Sequence, residues 1–367
     1  MSPASPRRSL LLGLAGSALL ASCAVAPPPK KEEDEDVGDL LWPVPPELPR
    51  YAYETTLRSV ADVQKESKDD EFRRRMLGQS RGDIRAFEKP SCIAARDGRI
   101  YVGDGVMRNI VVFDAGRRRV FQMGLRPPGT LAKPAAIALD RAGRVYVADS
   151  TLRRVFVYDA LGLHQITIGT PAELQRPTGV AVNKDGSRIY VIDRADNDSD
   201  RHRVLVYGAD GKLLQEIGRR GRGDGEFNVP VQAVVTPDGN LHVLDAGNFR
   251  VKTFDPEGRY LRGFGQVGNG LGQFARPRAL ACDDEGRLYV SDGSFGNVQI
   301  FTDRGELLLT IGRSGTRDKP GRYGLIAGVA VDNTGRLYVA DQLYQKVEVI
   351  RRVGEAEGKA LQAKARG

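Results

Sequence analysis

Histidine, cysteine and tryptophan are scarce in this sequence. Its 367 residues include three His, three Cys and one Trp, and they contain no CxxCH haem motif, nucleotide-binding loop or nucleophile elbow. The three His, at His164, His202 and His242, stand at non-equivalent positions of the repeat described below, so they are not expected to converge on a metal ion. These absences disfavour haem, nucleotide and zinc chemistry.

Glycine, in contrast, is abundant, and its 43 residues punctuate short apolar runs. Between Gly225 and Gly265, four such runs occupy residues 231–235, 241–244, 251–254 and 260–264, and turns such as Pro237-Asp238-Gly239 separate them. Short runs rich in Val, Leu, Phe and Tyr, broken by turns of this kind, predict a four-stranded antiparallel meander. A single sheet of this kind cannot bury both of its faces, so further copies are expected to stack on it.

Six copies of this unit follow one another along the chain. They open at Pro90, Pro134, Pro177, Pro230, Pro277 and Ile326. The spacings of 43 to 53 residues between these positions match one four-stranded propeller blade. In each copy an Asp follows the second strand, at Asp104, Asp149, Asp193, Asp245, Asp292 and Asp341. The predicted fold is all-β, a six-bladed β-propeller, with blades near residues 89–131, 132–174, 175–226, 227–273, 274–323 and 324–351.

Several short motifs within the repeat are typical of one protein family. Runs such as Tyr289-Val290-Ser291-Asp292, Val298-Gln299-Ile300-Phe301 and Gly272-Gln273-Phe274 are typical of the six-bladed NHL-repeat lipoproteins of bacteria, which the chain resembles over about residues 89–350. The resemblance implies a propeller that binds or assembles other molecules in the cell envelope. Other propellers of similar shape, such as amidating lyases and lactonases, use metal ions near the channel. A Ca- or Zn-dependent hydrolase or lyase is therefore the alternative.

The two ends of the repeat region are expected to meet. The sixth copy supplies only three obvious strands, which would leave an open sheet edge. Residues 51–60 alternate in the manner of a strand, so they are predicted to complete the last blade. Within the closing region, residues 51–88, a short helix is predicted at residues 67–78. The polar tail, residues 352–367, is predicted to be flexible.

The first 22 residues predict a secretory signal. Arg7 and Arg8 precede an apolar run at residues 9–20, and the sequence Leu20-Ala21-Ser22-Cys23 resembles a bacterial lipobox. The resemblance implies that Cys23 is lipidated and anchors the protein, and that Ala24 favours the outer membrane, with the protein facing the periplasm or cell surface. A partial twin-arginine resemblance leaves the export route open.

A tether is predicted between the lipidated Cys23 and the propeller, over residues 23–50. Its prolines and the acidic run Glu32-Glu33-Asp34-Glu35-Asp36 cannot build a core, so it is expected to stay extended or disordered. Trp42 has two interpretations, docking onto the propeller or contact with the membrane interface. Docking is favoured because Trp42 lies far from the anchor in sequence.

The chain is basic, with a net charge of +8 that falls to +6 when Arg7 and Arg8 are removed with the signal. Export disfavours nucleic acid, which leaves anionic lipid, surface polysaccharide, a partner protein or solubility alone as the use of this charge. We expect a monomer. Basic residues cluster on the connectors between blades, and we predict that they form a ligand-binding face: Lys89, Lys133, Arg176, Arg219, Arg220, Arg222, Arg276, Arg313, Arg317, Lys319 and Arg322. The alternative is that they only pair with Asp side chains and solvate loops.

The recurring Asp and a residue five positions later form a pattern that could be mistaken for catalytic pairs. They are Asp149 with Arg154, Asp245 with Arg250, and Asp292 with Asn297. A catalytic residue is needed once, whereas a residue that fixes a loop is needed in every blade. We therefore predict structural hydrogen-bonding pairs and no catalytic residue.

No metal or other cofactor is expected, although a calcium ion remains open. The weak candidates are Asp196, Asp198 and Asp200, which alternate as in a calcium loop but lack the ordered Gly and closing Glu of an EF-hand. Cys92 and Cys282 lie on the first strands of blades one and five. These blades are not neighbours in a six-membered ring, so two buried thiols and no disulfide are predicted.

Overall fold

The computed structural model describes residues 40–78 and 85–364. The predicted signal, Cys23 and the acidic run therefore lie outside the described residues. Along the described part of the chain, no helix combines the length and apolarity needed to cross a membrane. The chain there begins with β1 (Leu41–Trp42), β2 (Tyr51–Leu57) and helix α1 (Lys68–Met76), which confirms the helix predicted at residues 67–78.

Five consecutive four-stranded antiparallel sheets follow, and a sixth sheet combines the last three long strands with β1 and β2, which confirms the predicted six-bladed propeller. Blade 1 contains β3 (Pro90–Arg96), β4 (Arg99–Asp104), β5 (Asn109–Asp114) and β6 (Arg119–Met123). Blade 2 contains β7 (Pro134–Leu139), β8 (Val145–Asp149), β9 (Arg154–Tyr158) and β10 (His164–Ile168). Blade 3 contains β11 (Pro177–Val182), β12 (Arg188–Asp193), β13 (Arg203–Gly208) and β14 (Leu213–Ile217).

The second half of the ring repeats this order. Blade 4 contains β15 (Pro230–Val235), β16 (Leu241–Asp245), β17 (Arg250–Phe254) and β18 (Tyr260–Phe264). Blade 5 contains β19 (Pro277–Cys282), β20 (Leu288–Asp292), β21 (Asn297–Phe301) and β22 (Leu307–Ile311). The short parallel pair β23 (Arg313–Ser314) and β24 (Arg322–Tyr323) leads into blade 6, with β25 (Ile326–Val331), β26 (Leu337–Asp341) and β27 (Lys346–Arg352). Helix α2 (Glu355–Lys364) follows.

The core of the propeller lies between blades. The first strands contact one another in a closed ring around the channel, from β3 through β7, β11, β15, β19 and β25 back to β3. The second strands are buried along their whole length, as in β8 and β16, whereas the fourth strand β14 is mostly exposed. Ile192 of blade 3, for example, packs in one cluster with Leu241 and Val243 of blade 4. Each blade therefore buries its faces against its two neighbours.

The ring is closed by the N-terminal strand, as the sequence predicts. Strand β2 pairs antiparallel with β27, from Tyr51 opposite Arg352 to Leu57 opposite Val347. Strand β1 then adds a fifth strand to the same sheet. The Trp42 ring is 92% buried and packs in one cluster with Tyr51 and Tyr323, so Trp42 docks onto the propeller.

Two predicted flexible segments are ordered where the structure describes them. Residues 40–50, predicted as part of the tether, carry β1, because Leu41 and Trp42 are buried against the propeller edge. The tail, predicted to be flexible, forms α2 over residues 355–364. Leu41, Ala52 and Val353 form a small cluster with Leu361 of this helix, and Gly358 lets the helix approach Pro49, since a Cβ at Gly358 would lie 2.6 Å from the Pro49 carbonyl oxygen.

The two cysteines of the propeller are unpaired thiols, as predicted, but the prediction that both are buried is correct only for Cys92. Cys92 is buried, and Cys282 is only partly buried because it lines a cavity of about 180 Å³ at the hairpin end of the channel. Burial raises the pKa of both thiols to about 12, so both are protonated at neutral pH.

Candidate anion-binding site

The channel opens into a cavity of about 550 Å³ on the face where the connectors meet the loops between second and third strands. Five cationic side chains line it, and we call this cavity the cationic mouth: Lys133, Arg176, Arg194, Arg276 and Arg278. Among the described residues, no Asp or Glu lines the cavity, and no carboxylate forms an ion pair with any of the five. No ion pair within the described part of the chain therefore neutralises these five side chains.

The recurring Asp of each blade holds the backbone beside this mouth. In blade 2, one oxygen of Asp149 accepts hydrogen bonds from the backbone N–H groups of Ala132 and Lys133, at 2.7 and 2.8 Å. The other oxygen accepts from Thr151 and Leu152, at 2.9 and 2.8 Å. One carboxylate thus fixes both the connector and the loop, an arrangement that we call the Asp clamp.

The same clamp places the two arginines that open blades 3 and 5. The carboxylate of Asp193 accepts from the backbone N–H of Arg176 at 2.7 Å, and that of Asp292 accepts from Arg276 at 2.8 Å. The carbonyl group of each basic residue is also held, because Ser150, Arg194 and Gly293 donate to the carbonyls of Lys133, Arg176 and Arg276, at 3.1, 3.2 and 2.9 Å. Both backbone polar groups of these three residues are thus anchored.

The side-chain pairs predicted from the sequence are not formed. Arg154 and Arg250 are exposed and make no hydrogen bond to Asp149 or Asp245, and the side-chain oxygen of Asn297 is buried without a partner. The physical reason is that backbone amides already occupy the oxygens of each Asp. The Asp residues have the predicted structural role, but their partner is the backbone. In blade 3, Arg203 does lie 3.6 Å from Asp193.

Blade 4 has a modified clamp. Asp245 accepts from the backbone of Asn228 at 2.6 Å and from the side chain of Asn248 at 2.7 Å, and the Nζ of Lys252 lies 3.5 Å away. Burial raises the pKa of Asp245 to about 6, against the opposing effect of these partners. The residue before the blade-opening Pro is here Val229, whose backbone N–H donates to Nδ1 of His202 at 3.0 Å.

Sequence reasoning missed Arg194 and Arg278, which complete the cationic mouth. Arg194 follows the clamp Asp directly, where the other blades have Gly105, Ser150, Ala246, Gly293 and Gln342. Arg278 follows the blade-opening Pro, where the others have Ser91, Ala135, Thr178, Val231 and Ala327. The signal that could have found them is the departure of one blade from its five relatives at a position facing the channel.

Two arginines of the mouth, Arg194 and Arg278, have a lowered pKa. Burial, and then the charge of Arg176, lower the pKa of Arg194. Burial lowers the pKa of Arg278, and the charges of Arg276 and Arg194 lower it further. The Nε of Arg194 is buried without a hydrogen-bond partner. Uncompensated like charges in a cavity with low-dielectric walls produce a strong positive potential that attracts anions.

Apart from Lys133, Arg176 and Arg276, the predicted basic residues do not line the mouth. Lys89 opens blade 1 outside it, and Arg219 pairs with Glu226 at 3.0 Å on its own connector. Arg220 and Arg222 are exposed on the same connector, and the remaining predictions lie on the connector before blade 6: Arg313, Arg317, Lys319 and Arg322.

The long connectors are held to the third strands, two strands away from the channel. The Nζ of Lys252 donates to the carbonyls of Gly223, at 2.6 Å, and Glu226. In the last blade, the carboxylate of Glu348 accepts from the Gly321 backbone at 3.0 Å and the Tyr323 hydroxyl at 2.7 Å. This attachment explains why the basic residues of these connectors stay outside the mouth.

The histidines have structural partners. His242 is fully buried between the hydroxyls of Thr236 and Thr253, each 3.0 Å from a ring nitrogen, and burial lowers its pKa to about 4. His202 accepts from Val229, and His164 lies 2.8 Å from the Thr167 hydroxyl. Asp196, Asp198 and Asp200 are exposed, and residues 40–78 and 85–364 contain no group of three or more His, Cys, Asp or Glu placed to hold a metal ion.

Comparison with known proteins reveals likeness of fold. No protein-family model and no curated protein matches the sequence. A structure of a Bacteroides thetaiotaomicron protein of unknown function is 17% identical, with a TM-score of 0.57 over 73% of this chain and 70% of that one. A streptogramin B lyase is 13% identical, with a TM-score of 0.54 over 73% and 95% of the two chains. A virginiamycin B lyase from Staphylococcus aureus, solved as an inactive variant with quinupristin, is 13% identical, with a TM-score of 0.51 over 72% and 95%. These likenesses agree with the propeller fold.

Proposed function

We propose that this protein is a binding module that holds an anionic partner, a protein or an anionic polymer of the cell envelope, at the cationic mouth. The observation that carries the proposal is that five cationic side chains converge on one cavity with no carboxylate among the described residues that line it. Guanidinium groups present paired donors that suit carboxylate and phosphate oxygens. The Asp clamps support binding because they fix the backbone of three of these cations before a ligand arrives.

A matched pair of variants tests this proposal. The probe is surface-immobilised poly-glutamate, and binding is followed by surface plasmon resonance at low and at high salt. The double variant Arg194→Ala/Arg278→Ala removes two charges from the mouth, and Arg220→Ala/Arg222→Ala removes two from the connector outside it. We expect the first to weaken binding by about tenfold or more and the second by less than about twofold. Equal losses would show that net charge, not the mouth, carries the binding.

We also propose that the chain is an NHL-repeat lipoprotein, anchored through Cys23 in the outer membrane as a monomer. The supports are the Leu20-Ala21-Ser22-Cys23 motif, Ala24 after it, and the repeat pattern. Incorporation of labelled palmitate into the full-length protein in bacterial cells tests the anchor. Cys23→Ser is expected to abolish the label and to move the protein from the membrane fraction to the soluble one. Unchanged labelling of that variant would contradict the anchor.

A metal-dependent hydrolase or lyase is the second candidate. Its support is the likeness of fold to virginiamycin B lyase, whose name describes a reaction of that protein. Elemental analysis of the purified protein distinguishes the two candidates. The lyase would be favoured if the protein contains one Ca or Zn per chain and turns over quinupristin, and if chelation of the metal abolishes that turnover. A metal-free protein that binds poly-glutamate would favour the binding module.

A further inference from the structure

Blade 4 presents an apolar surface to the cationic mouth. Val229 stands directly before the blade-opening Pro, where blades 2, 3 and 5 place the cations Lys133, Arg176 and Arg276. Val231 and Phe249 line the same wall and are half-buried. We call Val229, Val231 and Phe249 the apolar shelf.

The shelf lies between two arginines. Arg194 belongs to blade 3 and Arg278 to blade 5, the two neighbours of blade 4, and both line the same cavity as the shelf. Ala246 of blade 4 also lines the mouth and leaves this space open, where blade 3 has Arg194. A ligand here would meet guanidinium groups on two sides and apolar surface on a third.

One residue of the shelf, Val229, is held in a conformation that its side chain disfavours, with a φ of 59° in the left-handed region. Phe249 also has positive φ, at 56°, but this belongs to the repeat, because the residue before the third strand has positive φ in other blades too, at Arg108, Arg153, Gly296 and Gln345. A β-branched residue is rare in the left-handed region, and such residues persist where the surrounding structure holds them, often at ligand sites. At the positions equivalent to Val229, neither Lys133 nor Arg176 nor Arg276 has positive φ. This departure belongs to the blade that carries the shelf.

The channel holds a second cavity besides the mouth. The hairpin end of the channel holds a separate cavity of about 180 Å³, lined by other residues of the same strands. A volume of about 550 Å³ lies within the range of small-molecule sites.

From these features we infer that the cationic mouth binds a small amphiphilic anion. Its phosphate or carboxylate lies between Arg194 and Arg278, and its alkyl or aryl body lies on the apolar shelf. This inference rests on the proposed function, because it requires the same mouth to bind anions, and it adds a small ligand to the protein or polymer proposed there. An acidic polymer would satisfy the arginines but would leave the shelf uncovered, whereas an apolar body gains about fourfold in affinity for each CH₂ that it buries.

Isothermal titration of the protein with three probes tests the inference. The probes are octyl phosphate below its micellar concentration, inorganic phosphate, and octyl glucoside, which has the chain without the charge. We expect octyl phosphate to bind at least about tenfold more tightly than phosphate, and octyl glucoside to bind more weakly than octyl phosphate by a similar factor. Arg194→Ala/Arg278→Ala is expected to weaken both phosphates.

A shelf variant separates the apolar contribution from the charge. Phe249→Asn removes the ring but keeps a residue that tolerates positive φ. It is expected to weaken octyl phosphate by about tenfold and inorganic phosphate by less than about twofold. Val267→Asn is the matched control, since Val267 is 66% exposed on another connector, and it should change neither affinity. A thermal melt of each variant reports whether it folds.

The outcomes distinguish this inference from the proposed function. If poly-glutamate binding depends on Arg194 and Arg278 but octyl phosphate binds no better than phosphate, the inference is wrong and the binding module stands. The inference is equally wrong if Phe249→Asn leaves the affinity for octyl phosphate unchanged. If neither probe responds to the two arginines, both proposals fail.

Discussion

The backbone N–H of Arg194 donates a hydrogen bond to the carbonyl oxygen of Arg176, at 3.2 Å, and so places two guanidinium-bearing residues next to each other. The carboxylate of Asp193 holds the other side of Arg176, at 2.7 Å from its backbone nitrogen. The two arginines take part in these contacts only through their backbone groups, so their side chains are brought together without forming an ion pair. The cationic mouth therefore combines a fixed backbone with unbalanced charge, and this combination leads to the following predictions.

Removing the mouth arginines should stabilise the fold while it weakens binding. In Arg194→Ala/Arg278→Ala, the repulsion from Arg176 and Arg276 disappears, and we expect the free energy of unfolding to rise by up to about 1 kcal/mol, the scale of solvent-screened charge pairs. Urea unfolding at low salt measures this change, which should shrink at high salt. A loss of stability larger than about 1 kcal/mol would mean that these arginines are structural.

Asp149 and Arg154 should differ sharply in their effect on stability. Asp149→Ala leaves four backbone N–H groups without their acceptor, so we expect a loss of about 3 kcal/mol or more. Arg154→Ala removes an exposed side chain and should change the free energy of unfolding by less than about 0.5 kcal/mol. Urea titrations of both variants give the comparison. Similar losses of unfolding free energy for the two variants would instead support the side-chain pairing of Asp149 with Arg154 that the sequence predicts.

Val229→Gly should stabilise the protein. At φ of 59°, glycine removes the strain of a β-branched residue, which outweighs its larger loss of chain entropy, for a net gain of about 1 kcal/mol. Val267→Gly is the control, because Val267 lies on a connector and does not have positive φ. This variant should lose up to about 1 kcal/mol of its free energy of unfolding. Thermal unfolding of the two variants should shift in opposite directions. A destabilised Val229→Gly protein would contradict stored strain at the shelf.

His242 should make stability depend on pH. Its pKa is about 4 in the folded protein and 6.5 ordinarily, so the unfolded chain alone takes up the proton between these values. Stability from this group is therefore complete above about pH 6.5 and is lost as the pH falls toward 4. His242→Tyr introduces the residue that the other blades have at this position. Between about pH 7 and pH 5, the free energy of unfolding of this variant should fall by about 2 kcal/mol less than that of the wild type. Asp245, whose raised pKa acts in the opposite direction, is common to both proteins and drops out of this difference. Parallel pH profiles of unfolding would contradict the burial of His242.

Trp42 should contribute to ring closure far more than its neighbours in the predicted tether. Trp42→Ala removes a ring packed between blades 5 and 6, and we expect a loss of about 3 kcal/mol or more. Val44→Ala is the control, since Val44 is 51% exposed. Limited proteolysis of the N-terminal segment should accelerate for the Trp42 variant alone. Equal proteolysis would indicate that β1 does not secure the ring.

Much of the fold could be predicted from spacing alone. Hairpin glycines, the apolar second strands and the recurring Asp recur at nearly constant intervals, and the missing fourth strand of blade 6 required a closing strand elsewhere. The edge elements were harder to predict. Strand β1 and helix α2 bury only a few residues, such as Leu41, Trp42 and Leu361, so the sequence shows no hydrophobic periodicity that would predict them.

The site was predicted only in part, because the sequence shows side chains but not the backbone groups that they meet. Asp149 could be recognised as structural, but its partners are amides of a connector that lies 16 to 17 residues away in sequence. Lys133, Arg176 and Arg276 could be predicted because they share one position, directly before the blade-opening Pro, whereas Arg194 and Arg278 share no position with other cations. Those two residues are visible only as exceptions to a repeat whose inward-facing positions are known.

Arginine footprinting tests the central claim, that anions bind at the cationic mouth, most directly. The wild-type protein is treated with phenylglyoxal with and without poly-glutamate, and mass spectrometry reports the modification of each arginine. We predict that the ligand protects Arg176, Arg276 and Arg278, while the exposed Arg220 and Arg222 on the connector outside the mouth react equally in both samples. Protection confined to Arg220 and Arg222, or uniform across the surface, would contradict the account.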